Sequence, residues 1–189
     1  MNYVDTIQKL NDYRTQLGEL RTKMRELQST IAPQQVDDYE LSTPDGPVRL
    51  SQLFGAHDAL FVIHNMGAGC VYCTLWADGF NGIIDHLENR AAFVVSSPDA
   101  PDAQRKFADS RGWRFRMVSQ QGTTFAKDMG FTGEHGFEPG VSVFKKDGDR
   151  IVRVSHQPLG PGDDFCALWH FLDLLPEGPD GWQPRYKYA

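Results

Sequence analysis

Cysteine is scarce in this chain: there are three in 189 residues, too few and too odd in number for a disulfide-built scaffold. Long apolar runs are also missing, and no stretch approaches the ~20 residues that cross a bilayer. Positive charge is not in excess, because 19 Lys and Arg stand against 25 Asp and Glu and give a net charge of −6. We therefore expect neither a nucleic-acid partner nor a membrane partner.

The N-terminal segment lacks the apolar core of a secretion signal, so we expect a cytoplasmic protein. From Asn2 to about Ile31 its apolar residues recur every three or four positions, which predicts one long helix that Pro33 ends. The narrow apolar stripe is typical of a helix–helix seam. It has two interpretations: packing on its own domain, or a dimer arm that makes the protein a homodimer.

Three segments are predicted: a helical arm at 1–33, one domain at 34–176 and a C-terminal tail at 177–189 that lies along the surface.

Within the domain, a hairpin is followed by buried apolar runs that alternate with helical patterns, and by a second hairpin at "KKDGD". The predicted strands are 39–42, 48–50, 60–63, 92–95, 115–119, 141–144 and 151–154. The predicted helices are 101–111, 123–129 and 163–175, together with one that begins near residue 70. This alternation predicts an α/β fold, a central mixed sheet with helices on both faces.

The stretch "GAGCVYCTLWADGFNG" places Cys70 and Cys73 where a buried strand ends and a helix begins. Open sheets collect functional groups at the carboxyl ends of their strands. Unpaired N–H groups and the helix dipole stabilise an anion at a helix start, so a thiol pKa of ~8.5 can fall to ~3.5–7.5 there. With this spacing, one thiolate can attack a disulfide and the other can resolve the mixed disulfide.

This succession resembles a thioredoxin fold, and Cys70-Val71-Tyr72-Cys73 resembles the glutaredoxin dithiol, in which Tyr likewise precedes the second Cys. The resemblance implies a cis-proline before the strand that faces the dithiol, and Pro139 in "FEPGVSVF" stands at the matching place. The motifs "LSQLFG", "GCVYCTLWADG" and "PGVSVF" extend the likeness over nearly the whole chain. They resemble a bacterial thioredoxin-like family of unassigned function, similar to the alkyl-hydroperoxide-reductase/redoxin branch.

The resemblance implies a thiol–disulfide oxidoreductase, with a peroxiredoxin-like peroxide reductase and a noncatalytic interaction module as alternatives. The chain has no Trp before Cys70 and no Pro between the cysteines, unlike thioredoxin itself. Peroxiredoxins carry Thr or Ser three residues before the peroxidatic Cys, whereas here that residue is Cys70. Because Cys70 lies nearer the loop and Cys73 a turn into the helix, exchange chemistry makes Cys70 the nucleophile and Cys73 the resolving thiol. In a redoxin-type peroxidase the order inverts.

Several other side chains near the motif are candidates for supporting roles. His64 is either bonded to backbone at a strand end or moves protons for the second thiol. Trp76 is predicted to be core at helical spacing, with Phe80, Ile83, Ile84 and Leu87. Asp78 and Asn81 either cap the helix or bound the cleft. Tyr72 is predicted beside the thiols, where it lines the site.

Cys166 is predicted to be a buried inert thiol, with a second resolving thiol as the alternative. A zinc site would need two ligands besides Cys70 and Cys73, and the sequence has neither a second Cys-x-x-Cys nor a paired-His motif. No metal and no cofactor is therefore expected. The expected partners are a disulfide-containing protein or a small oxidant, and a thiol reductant.

Overall fold

A computed structural model describes residues 2–188, and the chain divides into two units between Pro33 and Gln34. Over the described residues the α-helices are α1 Tyr3–Gln28, α2 Val71–Arg90, α3 Pro101–Arg111, α4 Phe125–Asp128 and α5 Ala167–Leu172. The strands are β1 Gln34–Val36, β2 Glu40–Thr43, β3 Gly46–Arg49, β4 Ala59–His64, β5 Ala92–Ser97, β6 Arg116–Ser119, β7 Thr132–Gly133, β8 Gly136–Phe137, β9 Gly140–Asp147 and β10 Arg150–Pro158. A 3-10 helix, Leu50–Phe54, follows β3.

The first unit contains α1, a helix of 26 residues. It begins where the Asn2 side chain accepts the backbone N–H of Asp5 at 2.9 Å, which satisfies one of the free donors of the first turn. None of its residues is buried, so its apolar stripe, including Leu17 and Met24, is exposed. Among residues 2–188, no helix is long and apolar enough to cross a membrane.

The second unit contains an eight-stranded mixed sheet in the order β1-β10-β9-β4-β5-β6-β2-β3. The central strands β4, β5 and β6 run parallel, and β9 pairs antiparallel with β4, which places Gly140 opposite His64. The predicted α/β fold with a mixed sheet and a long N-terminal helix is therefore confirmed. Strand β1 and the small β7–β8 hairpin have no predicted counterpart, because each is only two or three residues long and has no readable period.

Side chains of β4 alternate between two apolar layers, as a pleated strand requires. Leu60 and Val62 pack in the layer that contains Phe125 of α4. Ile63 packs in the other layer, which contains Trp76 of α2 and residues of α3 and α5. Helices α2, α3 and α5 thus share one face of the sheet, and the second face is covered by α4 and the 3-10 helix.

Two predictions about the helices are wrong. The last helix is predicted from Asp163 to Leu175, but α5 spans only Ala167–Leu172. The Asp163 carboxylate accepts the N–H groups of Gly160 and Phe165, which holds a turn in place of the first helical turn. Trp76, Phe80 and Ile84 are buried as predicted, but Ile83 is 48% exposed because it faces away from the sheet.

Candidate active site around the dithiol

Cys70 is the N-cap of α2, immediately after the loop that leaves β4. Its Sγ accepts the backbone N–H of Cys73 at 3.1 Å, and its carbonyl accepts the N–H of Thr74 at 3.0 Å. An N-cap side chain normally supplies an oxygen to these free donors, and here a sulfur takes that place. The sulfur that meets the N–H groups of the first turn is therefore the one placed to carry negative charge.

The two thiols, both free, differ in exposure and in pKa. Cys70 is half-buried, whereas Cys73 is 3% exposed. The Cys73 thiol donates a hydrogen bond to Cys70, and this bond, aided by the N–H groups of Cys73 and Tyr72, lowers the pKa of Cys70 to about 6 against the opposing effect of burial. The same bond and burial raise the pKa of Cys73, although the N–H of Met66 lies 3.5 Å from its sulfur. One thiolate and one thiol result near neutral pH.

The loop before Cys70 is held by a carboxylate from the neighbouring strand end. Asp99, just after β5, accepts the N–H of Ala68 at 2.9 Å, and the Asn65 side chain accepts the N–H of Gly67 at 2.7 Å. Gly67 has φ +102°, and a Cβ there would lie 2.9 Å from the Asp99 carboxylate. Sequence reasoning missed Asp99 and Asn65, although polar residues directly after two adjacent parallel strands are a readable signal.

Tyr72 and Trp76, both predicted as site residues, lie on the side of α2 that meets α5. The Tyr72 ring lies 6.2 Å from that of Trp169 and 6.4 Å from that of Trp76, measured between centroids. The indole N–H of Trp76 donates to Asp163 at 3.3 Å. Tyr72 is partly exposed beside the thiols, while Trp76 is buried.

Asp78 and Asn81, two turns further into α2, contact the end of α3. Asp78 forms an ion pair with Arg111 and accepts the indole N–H of Trp113 at 2.8 Å. Asn81 donates to the carbonyl of Gly112 at 3.1 Å. Both side chains therefore join helices, and their hydrogen bonds go to α3 and its C-terminal end.

His64 lies on the opposite face of the sheet from α2. Its Nε2 is 3.0 Å from Ser142 Oγ, and its ring stacks on Phe131 with centroids 4.1 Å apart. Burial lowers the pKa of His64 to about 3, so the ring is neutral near pH 7. Within residues 2–188 its Nδ1 has no hydrogen-bond partner. These contacts favour the structural interpretation of His64 over proton transfer at the dithiol.

Pro139 lies directly before β9 at the end of the sheet that carries the dithiol loop, since Gly140 pairs with His64. The Glu138–Pro139 peptide bond is trans, so the predicted cis bond is wrong. The chain is held extended through this point because Glu138 N–H donates to Phe131 and the Pro139 carbonyl accepts Leu159 N–H, both at 2.9 Å. The resemblance therefore holds for the position of the proline and not for its isomer.

The C-terminal tail reaches the dithiol loop, which the sequence did not reveal. The hydroxyl of Tyr186 donates to the carbonyl of Ala68 at 3.0 Å, and Arg111 donates to the Tyr186 carbonyl at 2.7 Å. Burial raises the pKa of Tyr186, and negative charge on the nearby dithiol raises it further. The apolar residues of the tail have neither helical nor strand periodicity, so its sequence does not predict this contact.

The third cysteine, Cys166, is the N-cap of α5 and is buried in the same apolar layer as Trp76 and Trp169. Burial raises its pKa, which disfavours a reactive thiolate. Among residues 2–188, no three His, Cys, Asp or Glu side chains come together in a group that could hold a metal ion.

Solved structures similar to this chain include peroxiredoxins. Peroxidoxin BcpB from Mycobacterium tuberculosis is 30% identical with a TM-score of 0.51, and the match covers 64% of this chain and 80% of that one. Reduced Prx3 from Vibrio vulnificus is 14% identical with a TM-score of 0.57, covering 71% and 90%. Peroxiredoxin Q from Xanthomonas campestris is 18% identical with a TM-score of 0.55, covering 64% and 80%. The expected similarity to the redoxin branch is confirmed.

No curated protein matches the chain by sequence. The model of a family described as "Bacterial protein of unknown function (DUF899)" matches residues 9–188, nearly the whole chain. The extent of this match agrees with the resemblance that the dithiol motif and its flanking segments indicate. The chain therefore belongs to the bacterial family DUF899, and its fold is that of the thioredoxin-like redoxins.

Proposed function

We propose that the protein is a thiol–disulfide oxidoreductase in which Cys70 is the nucleophile and Cys73 the resolving thiol. The main observation in support is the hydrogen bond from Cys73 N–H to Cys70 Sγ, 3.1 Å long, at the start of α2. Exposure supports the same order, because Cys70 is half-buried and Cys73 is 3% exposed. A protein disulfide needs access to the attacking sulfur, whereas the resolving sulfur needs to reach only its neighbour.

In the reaction, the Cys70 thiolate attacks one sulfur of a substrate disulfide, and the other substrate sulfur leaves as a thiolate that takes up a proton. Cys73 then loses its proton and attacks Cys70 Sγ. The second substrate thiol is released, and a Cys70–Cys73 disulfide forms. Two electrons pass from the dithiol to the substrate, so a separate thiol reductant must restore the dithiol for the next cycle.

The surrounding residues have supporting roles in this proposal. Tyr72 lines the approach to Cys70. Pro139 supports the same end of the sheet, where its carbonyl accepts Leu159 N–H and holds the chain extended. Trp76 and Asp78 support α2 through Asp163 and Arg111 respectively. His64 supports the end of β4 from the other face.

The proposed compartment is the cytoplasm, where a thiol pool is available as reductant.

The test is separate substitution of the two cysteines and incubation of each reduced variant with insulin disulfides. We expect Cys73→Ser to accumulate a mixed disulfide on Cys70, detected by mass spectrometry, because the resolving step is removed. We expect Cys70→Ser to be inactive, and Cys166→Ser, the matched control, to resemble the wild type. If neither Cys70→Ser nor Cys73→Ser differs from the wild type, the dithiol is not catalytic and the interaction-module alternative replaces the proposal.

A peroxide reductase is the second candidate, and the similarity to peroxiredoxin structures favours it. In that reaction a thiolate attacks the peroxide, the O–O bond breaks, an alcohol or water leaves, and a sulfenic acid forms on the cysteine. The second thiol then condenses with it, releasing water and forming the disulfide. A sulfenic acid on Cys73 in Cys70→Ser after hydrogen peroxide, trapped with dimedone, would select this candidate over disulfide exchange.

A further inference from the structure

A cavity of about 240 Å³ lies beside Tyr72, between the start of α2 and the segment around α5. Three aromatic side chains line it, those of Tyr72, Trp169 and Trp182. The centroids of Tyr72 and Trp169 are 6.2 Å apart, and those of Trp169 and Trp182 are also 6.2 Å apart with their planes at 71°. Asp173 is the single charged residue of the lining, which is completed by two prolines and two glycines.

This lining has the chemistry of a site for an organic cation. Aromatic faces carry the negative lobe of the ring quadrupole and attract an ammonium or quaternary ammonium group within about 6 Å. The Asp173 carboxylate adds a full negative charge, and none of the lining residues is Lys, Arg or His. An anionic group would meet repulsion there and find no basic partner.

The size of the cavity suits one charged group with a short stem. With about 240 Å³, the cavity has room for an aminoalkyl or trimethylammonium group. The occupant therefore enters as the end of a substrate whose remainder lies outside.

One wall of the cavity belongs to the helical turn that follows the proposed nucleophile. Tyr72 stands between Cys70 and Cys73 on the first turn of α2, and the same ring forms one wall of the cavity. A substrate whose charged group contacts Tyr72 therefore needs only a short stem between that group and the sulfur that Cys70 attacks. A site in this position selects among substrates of the dithiol.

We infer that this cavity binds the cationic group of a disulfide substrate, with Tyr72, Trp169 and Trp182 as the aromatic walls and Asp173 as the counter-ion. The inference rests on the proposed disulfide exchange and adds its substrate class: small or peptidic disulfides with a positive charge close to the sulfur. The positively charged group of the substrate contacts the aromatic walls and Asp173, and Cys70 and Cys73 reduce its disulfide by the exchange reaction described above.

The test compares three small disulfides of similar length: cystamine, which is cationic, 2-hydroxyethyl disulfide, which is neutral, and 3,3′-dithiodipropionate, which is anionic. Single-turnover rate constants are measured with the reduced full-length protein. Each rate constant is divided by the rate constant with which dithiothreitol reduces the same disulfide. Dithiothreitol has no binding cavity, so this division removes the effect of the leaving thiol's pKa. We expect the corrected rate constant of cystamine to exceed that of the neutral disulfide by roughly tenfold, a difference of ~1.4 kcal/mol. The anionic disulfide is expected to be slowest.

Substitutions assign the preference to the cavity. Asp173→Asn and Trp182→Leu are each expected to lower the cystamine-to-neutral ratio at least threefold, an effect of ~0.65 kcal/mol. The matched controls are Glu177→Gln, which removes the same charge outside the cavity, and Phe171→Leu, an exposed ring of α5 that does not line it. These controls are expected to leave the ratio unchanged. A ratio near one in the wild type, or the same ratio in all variants, would overturn the inference while disulfide exchange stands.

A binding experiment without thiol chemistry separates the two proposals. Tetramethylammonium is titrated into the full-length protein and tryptophan fluorescence is followed, because two of the four tryptophans, Trp169 and Trp182, line the cavity. Saturable quenching that Asp173→Asn weakens and Glu177→Gln does not supports the cation site, even where no disulfide is reduced and the proposed function fails. Absence of saturable quenching in the wild type, together with no cystamine preference, contradicts it.

Discussion

The backbone N–H of Cys73 donates to Cys70 Sγ across 3.1 Å, and the Cys73 thiol donates to the same sulfur. Two residues with the same side chain are thereby made chemically different. The half-buried sulfur at the helix start is stabilised as a thiolate, and the buried sulfur one turn later is stabilised as a thiol. This division of roles is the basis of the first prediction.

The alkylation rate of Cys70 by iodoacetamide is expected to rise with pH, to be half-maximal near pH 6 and to level off by pH 8, because only the thiolate reacts. Cys73→Ala removes the thiol donor while keeping the backbone N–H. We expect it to raise the pKa of Cys70 by about 1–2 units, since the anion loses a hydrogen bond that the neutral thiol does not need. Cys166→Ala is the control. An unchanged midpoint in Cys73→Ala would contradict the assigned hydrogen bond.

The second prediction concerns the loop that presents Cys70. Gly67→Ala combines a positive φ with a Cβ 2.9 Å from the Asp99 carboxylate, so we expect a loss of about 1–3 kcal/mol in the free energy of unfolding. Slower alkylation of Cys70 should accompany it as the loop shifts. Gly69→Ala in the same loop has nothing within 4 Å of its Cβ and is expected to change stability by less than about 1 kcal/mol. Urea denaturation measures both, and equal losses would refute the close approach of Asp99.

His64 gives a pH dependence of stability. Its pKa is about 3 when folded and 6.5 when unfolded, so the unfolded state binds the proton first. Its stabilising contribution is complete above pH 6.5 and is lost as the pH falls toward 3, with roughly 2 kcal/mol lost between pH 7 and pH 5. We expect His64→Phe to flatten the pH dependence of the urea midpoint, and the exposed His86→Gln to leave it unchanged. Parallel curves for all three proteins would show that another group controls acid stability.

The sheet could be predicted from sequence because its central strands are continuous apolar runs bounded by helical patterns, as at Leu60 to Ile63. The position of Cys70 and Cys73 at a helix start could be predicted because the apolar run before them and the helical pattern after them are both visible locally. The supports of the site could not. Asp99 meets Ala68 across 31 positions and Tyr186 meets the same residue across 118, and neither pairing has a period or a motif. The isomer of the Glu138–Pro139 bond could not be predicted either. The hydrogen bonds on each side of it, from Glu138 N–H to Phe131 and from Leu159 N–H to Pro139, join segments that no local pattern connects.

Tyr186 provides a test of the tail contact. Tyr186→Phe removes the hydrogen bond to the Ala68 carbonyl but keeps the ring, whose edge-on neighbour is Phe107. We expect tryptic cleavage after Arg185 in the native protein to accelerate about fivefold, which corresponds to a net hydrogen bond of ~1 kcal/mol. Tyr13→Phe, an exposed tyrosine of α1, is the control. If the two variants are cleaved at the same rate, the tail is held by other contacts.

The last prediction concerns α1, whose 26 residues form a helix without a single buried side chain. Most helical stability in proteins comes from packing of an apolar face against another surface. Spacing of the stripe by three and four residues fits the seam of a two-helix coiled coil, so we expect a homodimer formed through this helix. Light scattering of the full-length chain should give twice the 21.3 kDa mass of one chain. Leu17→Gln with Met24→Gln, both in the stripe, should shift the mass toward the monomer, whereas Thr15→Gln with Thr22→Gln, on the opposite face, should not. A wild-type monomer at high concentration would exclude the dimer.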